Sequence, residues 1–335
     1  MDPISQGVLG AIVTQATKSK IIFSVAGIFG FVAGMAADLD ILIRSTTDPL
    51  LFLEYHRQFT HSLVFIPIGG FVTGYLLYLI LGKRFKVSFM ESWLICSLGY
   101  GTHGLLDACT GYGTLILWPF TNERIALSII SIIDPLFTIP IILFVILSLV
   151  KKSRVFARLG FLWMISYLIL GAFNQKTAKE IGNRIAMERG HTDIKVEAKP
   201  SFANLWVWKI LYEADGKFFV DAVHTGLNRR IFQGQSIAKL NLKQDFPWLK
   251  QYSQQAQDIE RFYWFSMGYI AVDPSRKSHI GDIRYSALPN EIAPLWSIKL
   301  NPKSTASQHV KYVTHRDFGI DIRRRLWDMI LSGWN

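Results

Sequence analysis

The sequence has little charge and almost no cysteine. Only 18% of its 335 residues are charged, whereas half are hydrophobic; soluble domains carry about 25% charged residues. The deficit lies mainly in the first half of the chain and favours a membrane protein. The two cysteines, Cys96 and Cys109, are too few for a disulfide framework or a cysteine-based zinc site. We interpret them as small apolar fillers.

The sequence also lacks the motifs that accompany nucleic-acid binding, although its net charge is +11. We therefore expect the excess lysine and arginine to face anionic lipid, and we expect membrane lipids rather than nucleic acid as partners. The first residues, MDPISQG, lack the basic start of a secretory signal, so we expect no cleaved peptide.

Long hydrophobic runs dominate the first 175 residues. Because roughly 20 apolar residues cross a bilayer, and about 17 is the lower limit, five runs qualify as spans. They are residues 21–37, 62–82, 92–108, 126–150 and 159–175. A shorter apolar run at 3–17 predicts the first arm of a helical hairpin, which need not cross the whole bilayer.

Charged residues return after Gln175, and the pattern changes to β-rich stretches at 205–214, 217–223, 261–272 and 282–288. Asp215 and Gly216 predict a hairpin turn between the first two, and 240–259 reads as helical. The predicted fold is a mainly α-helical polytopic membrane domain over 1–175, with about five spans plus a short N-terminal helix. A small β-rich α+β extramembrane domain follows over 176–335. The tail, RRRLWDMILSGWN, fits an interfacial helix and a packed C-terminal helix equally well.

Lysine and arginine near the spans predict the orientation, because they favour the cytoplasmic side. With five spans, most of these residues share one side: Lys18, Lys20, Lys83, Arg84, Lys86, Lys151, Lys152, Arg154 and Arg158. The other side has Arg44, Arg57 and Arg124. We therefore expect loops 38–61 and 109–125 and the C-terminal domain to face outward, which in a Gram-negative cell is the periplasm.

Acidic and imidazole side chains collect at the outward ends of these spans. Asp38 and Asp40 end one span, and His56 and His61 precede the next. His103 and Asp107, four residues apart, share one helical face. Further polar groups at this level are Asp134 in the fourth span and Asp2 and Gln6 in the short arm.

Each of these groups alone has an ordinary explanation, such as a helix cap, a local hydrogen bond or a polar rim. Together, their carboxylates outnumber the nearby arginines, and buried charge in lipid needs a counter-charge. A divalent cation would supply it. The mixed oxygen and imidazole set suits Zn²⁺ first, with Mn²⁺ or Fe as alternatives, and allows one or two ions.

A divalent ion bound at this site predicts hydrolytic chemistry, because it lowers the pKa of a bound water and makes hydroxide available near pH 7. Asp107 or Asp40 could accept the proton, and Arg57 could hold an anionic substrate group. The expected substrate is a phosphoester or ester, preferably of a lipid. Two alternatives stay open: a transporter with a cation or proton relay through Asp134 and His103, and a non-catalytic scaffold. The sequence does not give the oligomeric state.

At these residues the sequence resembles the membrane-bound metal-dependent hydrolases, a bacterial inner-membrane family with LexA-regulated members. The resemblance runs through MDPISQGVLG, ADLDIL, EYHRQFTHSL, GTHGLLDACTGYGTLILWPF and IIDPLF, and more loosely through DIRYSALPN and PLW. It implies metal positions at Asp38, Asp40, His56, His61, His103 and Asp107. Many relatives have histidine where this chain has Gln6. The family is distantly similar to zinc-dependent phospholipases C, which implies a phosphoester substrate.

Overall fold

The computed structural model describes residues 1–17, 22–316 and 318–334. Lys18, Lys20 and the first residue of the predicted run 21–37 therefore lie outside the described residues. The chain divides into two compact units. The first comprises Met1–Leu42, Tyr55–Phe173 and Phe202–Asn204, and the second comprises Ile43–Glu54, Asn174–Ser201 and Leu205–Asn335.

The first unit is helical, as its composition predicts. Its helices are α1 (Pro3–Ala16), α2 (Phe23–Ala36), α4 (Ile66–Leu77), α5 (Lys83–Phe85), α6 (Phe89–Cys109) and α7 (Pro135–Val150), with short 3₁₀ turns at Ala37–Leu42, Phe59–His61 and Leu63–Phe65. A π-helical turn, Tyr78–Gly82, joins α4 to α5. The long helix α8 (Arg154–Glu188) begins in this unit and continues into the second.

Close helix contact in the first unit depends on glycine. A Cβ atom at Gly10 would lie 2.1 Å from the carbonyl oxygen of Gly30, and one at Gly34 would lie 2.5 Å from that of Gln6. Small residues allow such backbone approach in lipid, where packing rather than the hydrophobic effect holds helices together. The α1–α2 hairpin is therefore tight, and it fixes the end of α2, where two of the predicted metal ligands lie.

Fewer helices than predicted are long and apolar enough to cross a membrane. Among the described residues these are Phe23–Leu42, Leu63–Phe85 and Arg154–Glu188. The predicted count of about five is not supported. Helix α6 carries Glu91, His103 and Asp107, which lower its hydropathy, and α7 has only 16 residues.

The prediction of one continuous span over 126–150 is wrong. Residues 126–134 are not helical, and α7 begins only at Pro135. The backbone of this apolar stretch pairs with the end of α6 instead: the Leu127 amide donates to Ala108 O at 2.8 Å and the Ile129 amide to Cys109 O at 2.9 Å.

The second unit contains two four-stranded antiparallel sheets. The first comprises β1 (Glu197–Pro200), β2 (Val207–Ala214), β3 (Lys217–His224) and β4 (Arg230–Ala238), and the second comprises β5 (Ile270–Asp273), β6 (Arg276–Asp282), β7 (Trp296–Lys299) and β8 (Lys311–Thr314). Its helices are α3 (Leu51–Tyr55), whose last residue belongs to the first unit, α9 (Leu242–Asp245), α10 (Gln254–Phe265) and α11 (Ile320–Leu331).

Sequence patterns identified part of this unit correctly. The predicted hairpin is present, since Ala214 pairs with Lys217 across the Asp215–Gly216 turn. Two strand predictions are partly wrong. Residues 261–265 lie in α10, and 283–288 follow β6 without forming a strand. The run 261–265 is helical because Ile259, Phe262 and Phe265 recur at helical spacing and are buried together.

Candidate metal centre

The first unit brings the six predicted metal positions into one region. The 3₁₀ turn that ends α2 carries Asp38 and Asp40, and the turn Phe59–His61 carries His61. His103 and Asp107 lie in the last two turns of α6, and His56 follows α3. The predicted convergence of these side chains from separate segments is present in the geometry.

Four of these side chains form an inner cluster, which we define as Asp38, His61, His103 and Asp107. Their donor atoms lie within 4.8 Å of one another. Asp38 Oδ1 is 3.4 Å from His61 Nε2 and 3.3 Å from His103 Nε2. Asp107 Oδ2 is 3.4 Å and 3.8 Å from the same two nitrogens. The two imidazole rings meet edge to face, with centroids 4.6 Å apart.

Three donor atoms of the inner cluster make no hydrogen bond among the described residues. They are His61 Nε2, His103 Nε2 and Asp107 Oδ2, and all three are buried. Asp107 Oδ2 has an ion-pair partner, since Arg57 Nε lies 3.1 Å away, so the two imidazole nitrogens are the atoms left with neither a hydrogen bond nor an arginine partner among the described residues. Buried polar atoms are nearly always hydrogen-bonded, so several unsatisfied atoms aimed at one point require an explanation. A bound cation would satisfy all of them at once.

The opposite nitrogen of each imidazole is engaged, which determines the nitrogen that faces the cluster. His103 Nδ1 lies 2.6 Å from Gly34 O, and because a carbonyl only accepts, Nδ1 must be the donor. His61 Nδ1 lies 3.2 Å from Asp40 Oδ2. Metal-binding histidines typically have this arrangement, in which the ring nitrogen that does not bind the metal donates to a carbonyl or carboxylate.

An outer group, which we define as Asp38, Asp40 and His56, adjoins the inner cluster and shares Asp38 with it. His56 Nδ1 lies 2.8 Å from Asp40 Oδ1. The side chains of His56 and Asp38 are 29% and 24% exposed, whereas those of His61, His103 and Asp107 are fully buried. The outer group is thus the part of the centre that solvent or substrate reaches.

Arg57 is not free to receive an anion in this arrangement. Its Nε lies 3.1 Å from Asp107 Oδ2, its Nη1 donates to Thr110 Oγ1 at 3.0 Å, and its guanidinium lies 5.2 Å from the centroid of the Tyr112 ring. The backbone of Arg57 has a positive φ of 66°, an unusual conformation that brings its amide to Asp40 Oδ2 at 3.2 Å. Its predicted substrate role stays a prediction.

The three further polar residues predicted at this level, Gln6, Asp2 and Asp134, differ in their distance from the centre. Gln6 lies beside the inner cluster, where its Nε2 donates to Asp107 Oδ1 at 2.9 Å; the amino group of Met1 contacts the same oxygen. Asp2 caps α1 by accepting from the Ser5 amide. Asp134 caps α7 and accepts from the Tyr167 hydroxyl at 2.8 Å. Asp2 and Asp134 belong to neither the inner cluster nor the outer group.

Sequence reasoning missed the groups that hold the ligands in place. The Thr60 hydroxyl donates to Asp40 Oδ2 at 2.7 Å, and the Gly34 carbonyl orients His103. Thr60 could have been found, because it stands between the predicted residues His56 and His61. A backbone carbonyl such as that of Gly34 has no sequence signal.

The electrostatics of the cluster favour a cation. Burial alone would lower the pKa of His61, which lies just before the helix that starts at Leu63, but the carboxylates of Asp107, Asp38 and Asp40, which lie 3.2–3.4 Å from its ring nitrogens, outweigh burial. The net result raises the pKa of His61 well above its ordinary value. Three carboxylates around one imidazole therefore create a site that attracts positive charge.

Comparison with known proteins places this chain among inner membrane proteins. The family model described as YdjM inner membrane protein matches residues 1–178, which include every residue of the candidate centre. The chain is 36% identical to the inner membrane protein YbcI of Escherichia coli (strain K12) over 98 residues, which are 28% of this chain and 54% of YbcI. It is 28% identical to the uncharacterized protein YfhP of Bacillus subtilis (strain 168) over 100 residues, which are 30% of this chain and 29% of YfhP.

The matched regions thus span about half of YbcI and under a third of YfhP. No solved structure matches the chain significantly. The family match covers more than half of the 335 residues. This protein therefore belongs to the YdjM inner membrane protein family.

Proposed function

We propose that this protein is a membrane-embedded metal-dependent hydrolase that directs activated water at a phosphoester or ester. The observation that carries the proposal is that His61 Nε2 and His103 Nε2, two buried nitrogens that make no hydrogen bond among the described residues, converge on the carboxylates of Asp38 and Asp107. A buried polar atom without a hydrogen bond carries the cost of its desolvation. Binding of a cation to these atoms would offset that cost.

The spacing of the inner cluster supports Zn²⁺ over a larger ion. Zn²⁺ binds imidazole nitrogen and carboxylate oxygen at about 2.0–2.2 Å, so neighbouring corners of its tetrahedron lie roughly 3.3–3.6 Å apart. Three of the four carboxylate–imidazole distances in the cluster are 3.3–3.4 Å, and the fourth is 3.8 Å. Mn²⁺ and Fe stay as alternatives, since both accept the same ligand types.

We assign the hydrolytic role to the outer group. A zinc ion in the inner cluster would have four protein ligands, which is the composition of a closed structural site, whereas catalytic sites keep a position open for water. The outer group offers three ligands and is part-exposed. Asp38, His61, His103 and Asp107 would hold one ion, and the outer group would hold a second, which would supply activated water on the part-exposed side.

The metal would supply water with a pKa near 7; the protein residues would position it and accept its proton. Of the two predicted proton acceptors, Asp40 belongs to the outer group and Asp107 to the inner cluster. Asp40 would therefore be the proton acceptor on the part-exposed side, which leaves Asp38 and His56 as the protein ligands of the outer ion. Arg57 would gain freedom to bind an anionic substrate when a cation replaces it as the partner of Asp107.

The proposed substrate is a lipid or a lipid-linked phosphoester. The centre borders helices whose composition suits a bilayer, so a substrate that resides in the membrane needs no long approach.

We further propose that the centre and residues 176–335 face outward in a multi-pass topology. A membrane-impermeant maleimide should then label Tyr252→Cys in intact spheroplasts. Labelling only after lysis would reverse the orientation.

The two other classes of function make different predictions. A relay through Asp134 and His103 would need Asp134 to lie beside the inner cluster or the outer group. Asp134 instead caps α7 and bonds to Tyr167. That observation favours a structural role for Asp134 and argues against transport. A non-catalytic scaffold would show the same metal content with and without His61.

The test combines metal counting with an activity screen. Purified protein in detergent should contain two metal ions per chain by mass spectrometry, and His56→Ala should retain one. Phosphodiester, phosphomonoester and carboxylester lipids should then be screened with both proteins. Metal retained without turnover of any of these esters would separate a metal site from a hydrolase. Equal metal content in the wild type and His61→Ala would reject both.

A further inference from the structure

Helix α11 has two apolar faces, and only one of them packs against the protein. Ile322, Leu326, Met329 and Ile330 contact the core around Val207, Ala222 and Leu288. The opposite face carries Ile320, Trp327 and Leu331, spaced seven and four residues apart, and all three are exposed. Trp327 alone is 62% exposed. A packed C-terminal helix needs one apolar face, so the second requires another explanation.

A neighbouring loop extends this second face. The amide of Asn228 donates to Gly333 O at 3.1 Å, which holds the 225–230 loop against the end of α11. Leu227, at the tip of the loop, is 84% exposed. Trp334, also exposed, packs edge to face against Trp206. We call the set Leu227, Trp327, Leu331 and Trp334 the apolar patch.

Arginines surround the apolar patch. Arg229 and Arg230 follow Leu227, and Arg323 and Arg324 lie on α11; all four are exposed. None of the ion pairs within the described ranges involves these four, whereas the adjacent Arg325 pairs with Glu291 at 2.7 Å. The acidic residues of α11, Asp321 and Asp328, are also exposed, so the arginines remain in excess.

We propose that the apolar patch and its arginines dock on an anionic lipid surface. Tryptophan and leucine can enter the headgroup region while arginine side chains extend to lipid phosphates. Basic residues are attracted to an anionic lipid surface, and the attraction falls off within a Debye length. The protein belongs to an inner-membrane family, so the chain joins the second unit to a membrane-protein unit. Charge complementarity therefore selects lipid as the occupant, independently of any hydrolase activity.

The experiment uses the full chain in vesicles. Leu331→Cys is labelled with an environment-sensitive fluorophore, and the protein is reconstituted into phosphatidylcholine with or without phosphatidylglycerol. The unsubstituted chain, in which Cys96 is buried and Cys109 half-buried, serves as the labelling blank. The same label at Tyr252→Cys, a position that is 90% exposed and outside the patch, serves as the matched control.

The proposal predicts quenching of the label at 331 by lipids with brominated acyl chains when phosphatidylglycerol is present. Arg323→Glu/Arg324→Glu should abolish this quenching, and the label at 252 should show none. Quenching that is absent at 331, or equal in both lipid mixtures, would overturn the proposal. Shielding from aqueous iodide without lipid quenching, at high protein density only, would identify a second copy as the occupant and also overturn it.

Discussion

The carbonyl oxygen of Gly34 lies 2.6 Å from His103 Nδ1, so α2 determines which ring nitrogen of a histidine on α6 faces the inner cluster. Asp40 does the same for His61 from the 3₁₀ turn that follows α2. Ligand orientation therefore depends on helix contact, because partners on a neighbouring element fix both imidazoles. A change in helix spacing should alter metal affinity even where no ligand is replaced.

Gly104→Ala should lower metal affinity without removing a ligand. A Cβ at Gly104 would lie 2.2 Å from the carbonyl oxygen of His61, and a backbone atom cannot move aside easily. The substitution should push α6 away from the turn that carries His61. Gly101→Ala, on the same helix, is the matched control, because its Cβ would meet Ile66 at an ordinary 3.5 Å. Titration with a competing chelator should show weaker binding for Gly104→Ala alone; equal affinities would contradict the account.

Asp38→Asn should abolish metal binding at the inner cluster, whereas Asp40→Asn should only weaken it. Asp38 contacts both imidazole nitrogens of the inner cluster, so its replacement should leave the cluster empty at ordinary metal concentrations. Asp40 orients His61 through Nδ1, and loss of such a partner typically lowers affinity about 10–100-fold. Inner-cluster binding by Asp40→Asn should therefore be rescued by excess metal. The prediction fails if the two variants give superimposable binding curves.

The sequence was informative where chemistry depends on residue type. Six ligand candidates on separate segments were predicted to converge because carboxylates and imidazoles recurred at the same ends of apolar runs, and the first unit brings all six together. The arrangement among them could not be predicted. Arg57 pairs with Asp107, and its amide donates to Asp40 from a backbone with positive φ; residue type reveals neither.

The span prediction failed for a related reason. Hydropathy records that a stretch is apolar, but it does not specify whether its backbone is helical. Within residues 126–134, the amides of Leu127 and Ile129 bond to Ala108 O and Cys109 O, so part of an apolar run packs as non-helical backbone beside the end of α6. Tertiary hydrogen bonds of this kind leave no periodicity in the sequence.

Arg284→Met should destabilise the protein and leave its metal content unchanged. Arg284 and Asp282 form a fully buried pair, with Nη2 2.7 Å from Oδ2, and Trp296 Nε1 donates to the same oxygen at 3.2 Å. Removal of one partner from a buried pair typically costs about 3–5 kcal/mol, because the other charge is left uncompensated. Asp282→Asn/Arg284→Met should recover much of that loss. Thermal unfolding in detergent measures both, and a double variant no more stable than the single one would refute the explanation.

Stability should rise with pH through Lys209. Burial lowers the pKa of Lys209 from 10.5 to about 7, and its Nζ donates to Ser286 Oγ and Glu291 O. Between these two pKa values the unfolded chain binds the proton that the folded chain releases, so folding becomes more favourable as pH increases. Lys209→Met should flatten the slope of unfolding temperature against pH from about 7 to 10.5. Parallel curves for the two proteins would show that Lys209 does not titrate in this range.

The most direct test is the metal content of the purified protein and of His61→Ala/His103→Ala, compared with His191→Ala/His315→Ala as a control for the loss of two histidines outside the centre. The wild type and the control should contain the same amount of a divalent transition metal, and the double variant of the inner cluster should contain none there. Equal metal in all three proteins, with all three folded, would contradict a metal centre formed by Asp38, His61, His103 and Asp107.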